Sequence, residues 1–302
     1  MSPIAFFSWL KVMQQFCETD FGQKITAYKS FVINILGEPW ETRSEKKDWQ
    51  ELKNRAENYP LEIVPDGGLV VTAGVDVQKR WLEIQCVAWG RGMESWPIYH
   101  EKFHGDTYDV NNKCWKDLEN FIRTKRFKLK GITVPISMTA VDSGYNPGAD
   151  ESDNNVRAQH VVYEFVARNY KNTIACRGNP KLKDTIIKEE RIKQNIPLKN
   201  RYDVAVNDLK DEIFIKVDFA PGTEGYMHFP AGFSDDYFKG FLSEVYTEIE
   251  PGKWGYSKIF ERNEPLDTWI LCRAAAEKLN LATWTEPVWN QYEARILQPV
   301  RA

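Results

Sequence analysis

The sequence predicts an α/β protein whose mixed central sheet is flanked by helices. Residues 69–100 contain three alternating apolar runs, separated by a polar turn at 78–80 and a Gly-Arg-Gly turn at 90–92. This pattern is typical of three strands in hairpin succession. A helix, a strand, a second helix and a further strand are predicted between residues 106 and 176, an order typical of strands that return through crossover helices. The 302 residues are enough to bury a large core.

Composition excludes several classes of protein. No apolar run approaches the roughly 20 residues needed to span a bilayer, and no basic segment precedes the first apolar residues, so we expect neither a membrane span nor a signal peptide and place the protein in the cytoplasm. The five cysteines are scattered and form no Cys-x-x-Cys pair. They predict reduced core residues, and neither a disulfide framework nor a zinc site is indicated.

The net charge of −3 conceals two basic blocks. Residues 171–201 contain nine Lys or Arg against three Asp or Glu, and residues 123–130 contain five basic residues and no acid. Such blocks are compatible with ordinary solvated surface or with a surface that binds phosphate. The sequence leaves both interpretations open.

Each segment can be assigned a structure in chain order. Residues 1–60 read as a separate helical segment and linker, because apolar residues at helical spacing give way to a charge-rich stretch that ends in a proline. The strand that starts at Leu69 is apolar on both faces except at Asp76, which predicts a central, covered strand. The remaining predicted elements are helices at 106–125, 156–170, 202–216, 235–246 and 263–281, strands at 136–141, 173–176 and 226–230, a loop or hairpin at 177–201 and a hairpin at 247–260.

Three carboxylates occupy positions where a site can form. Asp76 lies in the first strand, Asp142 ends the strand at 136–141, and Asp267 lies in the first turn of the last predicted helix. Ligand sites in open sheets form beyond strand ends, where a packed helix can add a third acid. Each acid also has a simpler explanation: Asp76 could be satisfied by backbone groups or an arginine, Asp142 is ordinary turn chemistry, and Asp267 suits a helix N-terminus.

Three hard oxygen ligands with open positions suit Mg²⁺ or Mn²⁺. One or two such ions can activate a water and stabilise the leaving oxygen of a phosphodiester. Weaker candidates are His228 as a general base, and Lys258, Arg262 and Asn263 as phosphate contacts before the last helix. The simpler explanations, a core or surface histidine for His228 and a solvated loop for the other three residues, are favoured.

Several stretches together resemble the C-terminal part of the large terminase subunit of lambda-like tailed bacteriophages. They are FVINILGEPWE at 31–41, VTAGVDVQ and AWGRGMESW within 69–106, AVDSG at 140–144, residues 173–178, GYMHFP at 225–230 and RNEPLDTW at 262–269. The stretches are specific as a set and follow the family order over most of residues 25–281. Arg177 stands where the family has a lysine.

The resemblance implies a ribonuclease H-like nuclease domain that cuts concatemeric viral DNA with a divalent metal. On that pattern Asp76, Asp142 and Asp267 are the metal ligands and catalytic acids. The implied organisation is the end of an ATPase part and its linker at 1–60, the nuclease domain at 61–285 and a C-terminal tail at 286–302. The sequence contains no Gly-x-x-x-x-Gly-Lys-[Ser/Thr] phosphate loop, so no ATP site is expected in this chain.

The leading hypothesis is therefore a metal-dependent endonuclease acting on double-stranded DNA. Arg177, Lys181, Lys183 and Arg262 would contact the DNA backbone, and binding should depend on salt and barely on sequence. The implied partners are the ATPase part of the large subunit, the terminase small subunit and the portal or procapsid. Two alternatives remain: a non-catalytic docking module of the packaging motor, or another ribonuclease H-like nuclease such as a junction resolvase.

Overall fold

The computed structural model describes residues 9–19, 28, 30–38, 46–144, 153–193 and 196–297, with the backbone alone for 153–158. The strands are β1 (Val70–Val77), β2 (Trp81–Trp89), β3 (Ser95–His104), β4 (Arg126–Leu129), β5 (Ile132–Asp142), β6 (Thr173–Gly178), β7 (Ile187–Arg191), β8 (Asn200–Val204), β9 (Glu244–Glu250) and β10 (Lys253–Lys258). The α-helices are α1 (Trp9–Glu18), α2 (Trp49–Asn54), α3 (Lys113–Thr124), α4 (Asp153–Arg168), α5 (Val206–Lys216), α6 (Asp235–Phe241), α7 (Glu264–Lys278) and α8 (Glu286–Leu297).

An eight-stranded sheet has the order β3-β2-β1-β5-β6-β8-β7, with β4 paired to the first part of β5. Strands β1, β2 and β3 are antiparallel neighbours. Strands β5, β6 and β8 continue the sheet in parallel with β1, and β7 is antiparallel to β8. Three antiparallel strands followed by parallel strands give a ribonuclease H-like mixed α/β fold, so the predicted fold class is confirmed.

Strand β1 lies at the centre of the sheet and is covered on both faces. Val71, Ala73 and Val75 are fully buried on one face. On the other face α7 packs directly on the strand: the Thr72 hydroxyl donates to the carbonyl of Cys272 at 2.9 Å. A Cβ atom at Gly74 would lie 2.1 Å from the carbonyl oxygen of Thr268. Glycine at position 74 therefore permits the close approach of α7 that the site requires.

Three predicted elements differ from the structure. Residues 202–204 were expected to begin a helix but belong to β8, which pairs with β6 and β7. Residues 244–246 were expected to end a helix but begin β9. Residues 226–230 were expected to form a strand, yet they make only isolated bridges, Met227 with Ser95 and Pro230 with Glu57. In each case pairing with distant residues outweighs the local pattern.

Strand β4 lies inside the basic block at 123–130, whose charge is typical of an exposed surface. Phe127 and Leu129 are fully buried, while Arg126 and Lys128, which alternate with them, are exposed. The alternation of a strand was therefore present in the basic block at 123–130. Its charge had obscured the apolar face.

Both ends of the chain contain residues that pack on the sheet domain. Leu52 of α2 and Val64 belong to the main core, and the Glu57 amide donates to the Phe229 carbonyl at 2.8 Å. Trp289 of α8 is also part of this core. A smaller separate cluster contains Val12, Phe31 and Val32. Residues 49–60 and 286–297, predicted as linker and tail, thus contribute to the packing of the sheet domain.

All five cysteines are free, and four of them are buried, as predicted for core residues, whereas the prediction is wrong for Cys17, which is exposed. Within the ranges that the structure describes, no helix combines the length and apolar character needed to cross a membrane.

Candidate metal centre

Strands β1 and β5 deliver two acids to one end of the sheet. Val75 and Val141 are direct partners in the parallel pair of β1 and β5. Asp76 and Asp142 each follow one of these partners, so their side chains project from the same face of neighbouring strands. Asp76 is 6 % exposed, and Asp142 is partly exposed at the sheet end.

Helix α7 brings the third acid to this position. It runs antiparallel to β1, because Thr72 contacts Cys272 and Gly74 contacts Thr268. Two residues of strand span about 6.6 Å and one helical turn about 5.4 Å. Asp76, the next residue on this face of β1, is therefore level with the first turn of α7. Asp267 lies in that turn, whose start is fixed by a proline at its beginning.

Burial, and after it the charge of neighbouring carboxylates, raises the pKa values of all three acids. Burial raises the pKa of Asp76 to about 6, with added repulsion from Glu264 and Glu83. The pKa of Asp142 lies well above its ordinary value, first because of burial and then because of Asp76 and Asp267. Burial and Asp76 together raise the pKa of Asp267 to about 7. Such mutual effects require that the three carboxylates lie close together.

Each acid accepts a hydrogen bond from a nearby donor. Gln78 Nε2 donates to Asp76 Oδ2 at 2.5 Å, and the Gly144 amide donates to Asp142 Oδ1 at 2.8 Å. Asn263 Nδ2 donates to Asp267 Oδ2 at 2.7 Å. These donors fix the carboxylates in position but neutralise none of their charge.

The donor set fits a hard divalent cation. Carboxylate oxygens are the ligands that Mg²⁺ and Mn²⁺ prefer, and a cation would relieve the repulsion that raises these pKa values. Among the described residues, no group of three or more His, Cys, Asp and Glu side chains is arranged so that it could hold a metal ion as it stands. One oxygen of each acid is instead turned toward Gln78, Gly144 or Asn263. Binding of a metal would therefore require these three side chains to turn carboxylate oxygens toward the ion.

The basic residues predicted as phosphate contacts lie at different places around the three acids. Lys258 Nζ donates to Asn263 Oδ1 at 2.6 Å, so Lys258 and Asn263 form a chain that ends at Asp267. Arg177 lies beside the turn after Asp142 and lowers the pKa of that acid. Lys181, Lys183 and Arg262 are exposed.

The predicted general base, His228, makes contacts of another kind. His228 is held at both ring nitrogens, by Glu57 and Glu94 at 2.7 Å each, and stacks on Trp96. These contacts favour a structural role over that of a general base.

The basic block at 123–130 is largely compensated within the protein. Arg123 pairs with Glu119 at 2.7 Å, Lys125 with Glu62 at 2.7 Å, and Lys130 with Glu293 at 3.2 Å. The interpretation of this block as surface is therefore better supported than that of a phosphate footprint.

Sequence reasoning missed four residues around the acids. Gln78 and Glu83 lie on the β1–β2 hairpin, with Glu83 paired directly opposite Asp76. Glu244 accepts from Asn263 at 3.1 Å and from Lys210 at 2.6 Å. Glu264 begins α7. The hairpin register could have revealed Glu83, whereas Glu264 resembles an ordinary first-turn acid.

Comparison with known proteins gives a family match over most of the chain. The model of the family described as terminase large subunit gpA, endonuclease domain, matches residues 1–289. The large terminase subunit of Escherichia phage lambda is 25 % identical over 298 residues, which cover 92 % of this chain and 43 % of that relative. The chain thus spans less than half the length of this curated relative.

Two solved structures of the large terminase nuclease from thermophilic phage G20c are also similar, each at 9 % identity. One gives a TM-score of 0.40 and covers 75 % of this chain and 97 % of that chain. The other, with bound magnesium, gives 0.41 and covers 76 % and 98 %. These superpositions are partial, and the strand order described above is what defines the fold.

Proposed function

Because the chain belongs to the family of terminase large subunit gpA endonuclease domains, we propose that it is a divalent-metal-dependent endonuclease that cuts concatemeric double-stranded viral DNA. The observation that carries this proposal is the meeting of Asp76, Asp142 and Asp267 at one corner of the sheet. Their raised pKa values indicate buried acids whose negative charge is only partly offset by Arg177, Lys210 and Lys258. Such a site is costly to the fold unless a cation binds there.

Asp76, Asp142 and Asp267 would hold the metal. Bound there, one or two Mg²⁺ or Mn²⁺ ions would supply an activated water and stabilise the leaving oxygen of the phosphodiester. Gln78 and Asn263 orient two of the carboxylates, and Lys258 orients Asn263 in turn. Such supporting donors keep ligands in place during the reaction.

Positive side chains at the edge of the site would position the DNA. Arg177, which is partly exposed, lies beside the turn after Asp142, and the exposed side chains of Lys181, Lys183 and Arg262 would add further phosphate contacts. Contacts of this kind neutralise phosphates without reading bases, so binding should weaken steeply with salt and depend little on sequence.

The chain would act as one part of a packaging motor. We propose that an ATPase part of the large subunit, a terminase small subunit and the portal or procapsid are its partners in the host cytoplasm. In this arrangement residues 1–60 connect to the ATPase part and 61–285 form the nuclease, with α8 packed on it from the segment at 286–302. Site selection would come from the small subunit, because phosphate contacts carry no sequence information.

Two other functions would use the same fold. A docking module has no need for three converging acids, which argues against that function. A junction resolvase would prefer branched DNA, so cleavage of linear, branched and end-specific substrates in parallel separates it from a packaging nuclease.

Cleavage of a supercoiled plasmid tests the proposal directly. We expect cutting by the wild-type chain with Mn²⁺ or Mg²⁺, and none with Ca²⁺ or a chelator. Asp76→Asn should lower the rate by roughly a thousandfold, equivalent to about 4 kcal/mol of transition-state stabilisation. Asp235→Asn is the matched control, because Asp235 is an exposed acid paired with Lys53, and its rate should stay within about twofold of wild type.

Cutting that persists in Asp76→Asn would contradict the proposal. Failure to cut with any metal, in a folded chain, would favour the docking module.

A further inference from the structure

A cavity of about 630 Å³ opens at the turn between β1 and β2, and the proposed function does not yet use it. We call it the turn cavity; its lining residues are Lys79, Arg80, His104, Gly105, Asp106 and Tyr108. Lys79 and Arg80 are exposed, and neither forms an ion pair with a described acid. The acid in the lining, Asp106, accepts a hydrogen bond from the Tyr108 amide at 3.0 Å. The turn cavity thus presents two cations whose charge the described residues leave unpaired.

Backbone contacts hold the walls of the turn cavity in place. Thr107 Oγ1 donates to the carbonyl oxygens of Gln78 at 2.6 Å and Lys79 at 3.2 Å. The Gly105 amide donates to the Arg80 carbonyl at 2.9 Å. The turn is therefore fixed to the segment that follows β3. Because the support of the two cations is already formed, a ligand of the cavity has less to order when it binds.

The strand registers place the turn cavity beside the acids. His104, the last residue of β3, pairs with Trp81, the first residue of β2. Both therefore lie at the end of the sheet where β1 carries Asp76. In the sheet order β3-β2-β1-β5-β6, Asp76 and Asp142 occupy the third and fourth strands, and Arg177 lies on the fifth. The turn cavity is on one side of the acids and Arg177 is on the other.

The distance between these two positive positions suits a DNA backbone. Neighbouring strands lie about 4.8 Å apart, so the ends of β3 and β6 are separated by about 19 Å. One strand of double-stranded DNA carries a phosphate for every ~3.4 Å of helix axis, and about six nucleotides cover this distance. A single segment of DNA backbone can therefore reach from the turn cavity, past the acids, to Arg177.

The basic block at 123–130 provides an internal comparison. There Lys125 pairs with Glu62 at 2.7 Å and Lys130 pairs with Glu293 at 3.2 Å. A cation that already has a carboxylate partner gains little from a phosphate, because one charged contact only replaces another. The two cations of the turn cavity have no such partner among the described residues, and are therefore better suited to bind phosphate.

We infer that the turn cavity binds the DNA backbone on the β3 side of the acids, with Lys79 and Arg80 each neutralising one phosphate. This inference rests on the proposed function. The guanidinium of Arg80 can donate two parallel hydrogen bonds to a phosphate, whereas Lys79 acts as a point charge. DNA held by the turn cavity and by Arg177 would lie across the acids. The two cations would thus position the phosphodiester that is cut.

Binding of a linear duplex in Ca²⁺, followed by fluorescence anisotropy at several salt concentrations, tests this inference without cleavage. Lys79→Gln combined with Arg80→Gln should weaken binding roughly thirtyfold and reduce the slope of log affinity against log salt by about 2, because two phosphate contacts are lost. Arg168→Gln is the matched control. Arg168 is exposed, pairs with Glu164, and ends the helix that leads into β6 from the opposite end of the sheet. Its affinity should stay within about twofold of wild type.

Plasmid cleavage separates a positioning role from a catalytic one. In the double variant we expect KM to rise about tenfold and kcat to stay within about threefold of wild type, because these contacts hold the substrate and the transition state alike. Thermal unfolding should stay within about 2 °C of wild type, since both side chains are exposed and unpaired among the described residues.

Wild-type affinity and salt slope in the double variant of an active chain would overturn the inference and leave the nuclease proposal standing. Displacement of the duplex by an equal concentration of a mononucleotide would assign the turn cavity to a free nucleotide, and would also overturn it. A folded wild-type chain that neither binds the duplex nor cuts the plasmid would overturn the inference and the proposed function together.

Discussion

Helix α7 takes part in two buried clusters of charged side chains that differ in charge balance. At its start, Glu264 and Asp267 face Asp76 and Asp142, four acids with no base bonded among them. Two turns further, Arg273 pairs with Glu277 at 2.8 Å and contacts Glu212 at 3.5 Å, and Lys216 pairs with Glu212 at 2.8 Å. This second cluster contains two acids and two bases.

The pKa values of the buried acids in the two clusters shift in opposite directions. Burial raises the pKa of Glu212, but Lys216 and Arg273 outweigh it and lower the pKa to about 2. At the start of the same helix, burial and repulsion raise the pKa of Asp76 to about 6. A balanced cluster stabilises the fold, whereas an unbalanced one reduces stability until a ligand binds. The charge balance, rather than the number of buried charges, therefore separates a structural cluster from a candidate site.

The largest expected effect concerns removal of one member from each cluster. Arg273→Met should lower the free energy of unfolding by about 3–5 kcal/mol, because it leaves Glu212 buried with one partner instead of two. Asp142→Asn should leave that free energy unchanged or raise it in the absence of metal, since it removes a repelling charge. Denaturant unfolding of both variants in chelator measures the difference. Equal destabilisation of the two variants would contradict the distinction between a balanced and an unbalanced charge cluster.

The pH dependence of stability should have opposite signs in the two clusters. A folded-state pKa of about 6 for Asp76 means that its contribution is fully present below its ordinary pKa near 4 and is lost as pH rises toward 6, by about 3 kcal/mol. Glu212 behaves in the reverse sense, because its stabilisation is present above about pH 4.5 and is lost as pH falls through 2.

Unfolding measured from pH 4 to 8 in chelator should therefore show falling stability in the wild-type chain. The slope should be smaller in Asp76→Asn. An unchanged slope in that variant would assign the pH dependence to groups other than Asp76.

The smallest expected effect concerns cations at the edge of the acidic cluster. Arg177→Ala should weaken binding to linear DNA by about three- to tenfold and reduce the slope of log affinity against log salt by about 1, because one phosphate contact is lost. Lys188→Ala is a suitable control, since Lys188 is exposed and already paired with Glu190 at 2.8 Å. Fluorescence anisotropy at several salt concentrations would measure both. Equal losses of DNA affinity in the two variants would show that Arg177 contributes no more to binding than another basic side chain of the surface.

The sequence predicted those parts of the fold whose local pattern agrees with their tertiary environment. The three strands of 69–104 alternate cleanly, and their turns are short, so β1, β2 and β3 were located closely. Strand β8 was mistaken for helix because Tyr202 and Val204 also suit the apolar spacing of the helix that follows. Only pairing with β6 and β7 decides its structure, and such pairing is not visible in the segment itself.

The same limit applies to the site. Asp76 stood out because a carboxylate interrupts a strand that is otherwise apolar on both faces. Glu264 did not stand out, because an acid beside Pro265 in a first turn is ordinary helix chemistry. Its burial, with an Oε2 atom that accepts no hydrogen bond from the described residues, follows only from the packing of α7 against β1. Roles that depend on such long-range packing cannot be derived from local sequence.

The packing of α7 on β1 also affects when the site can exist during synthesis of the chain. The hydrogen bond between Thr72 and Cys272 joins residues 200 positions apart, and Asp76 meets Asp267 through the same contact. A ribosome must release nearly the whole domain before this contact of high sequence separation can close. Chains that end before α7 therefore lack the third acid, and the nascent protein can assemble its acidic centre only after α7 has been synthesised.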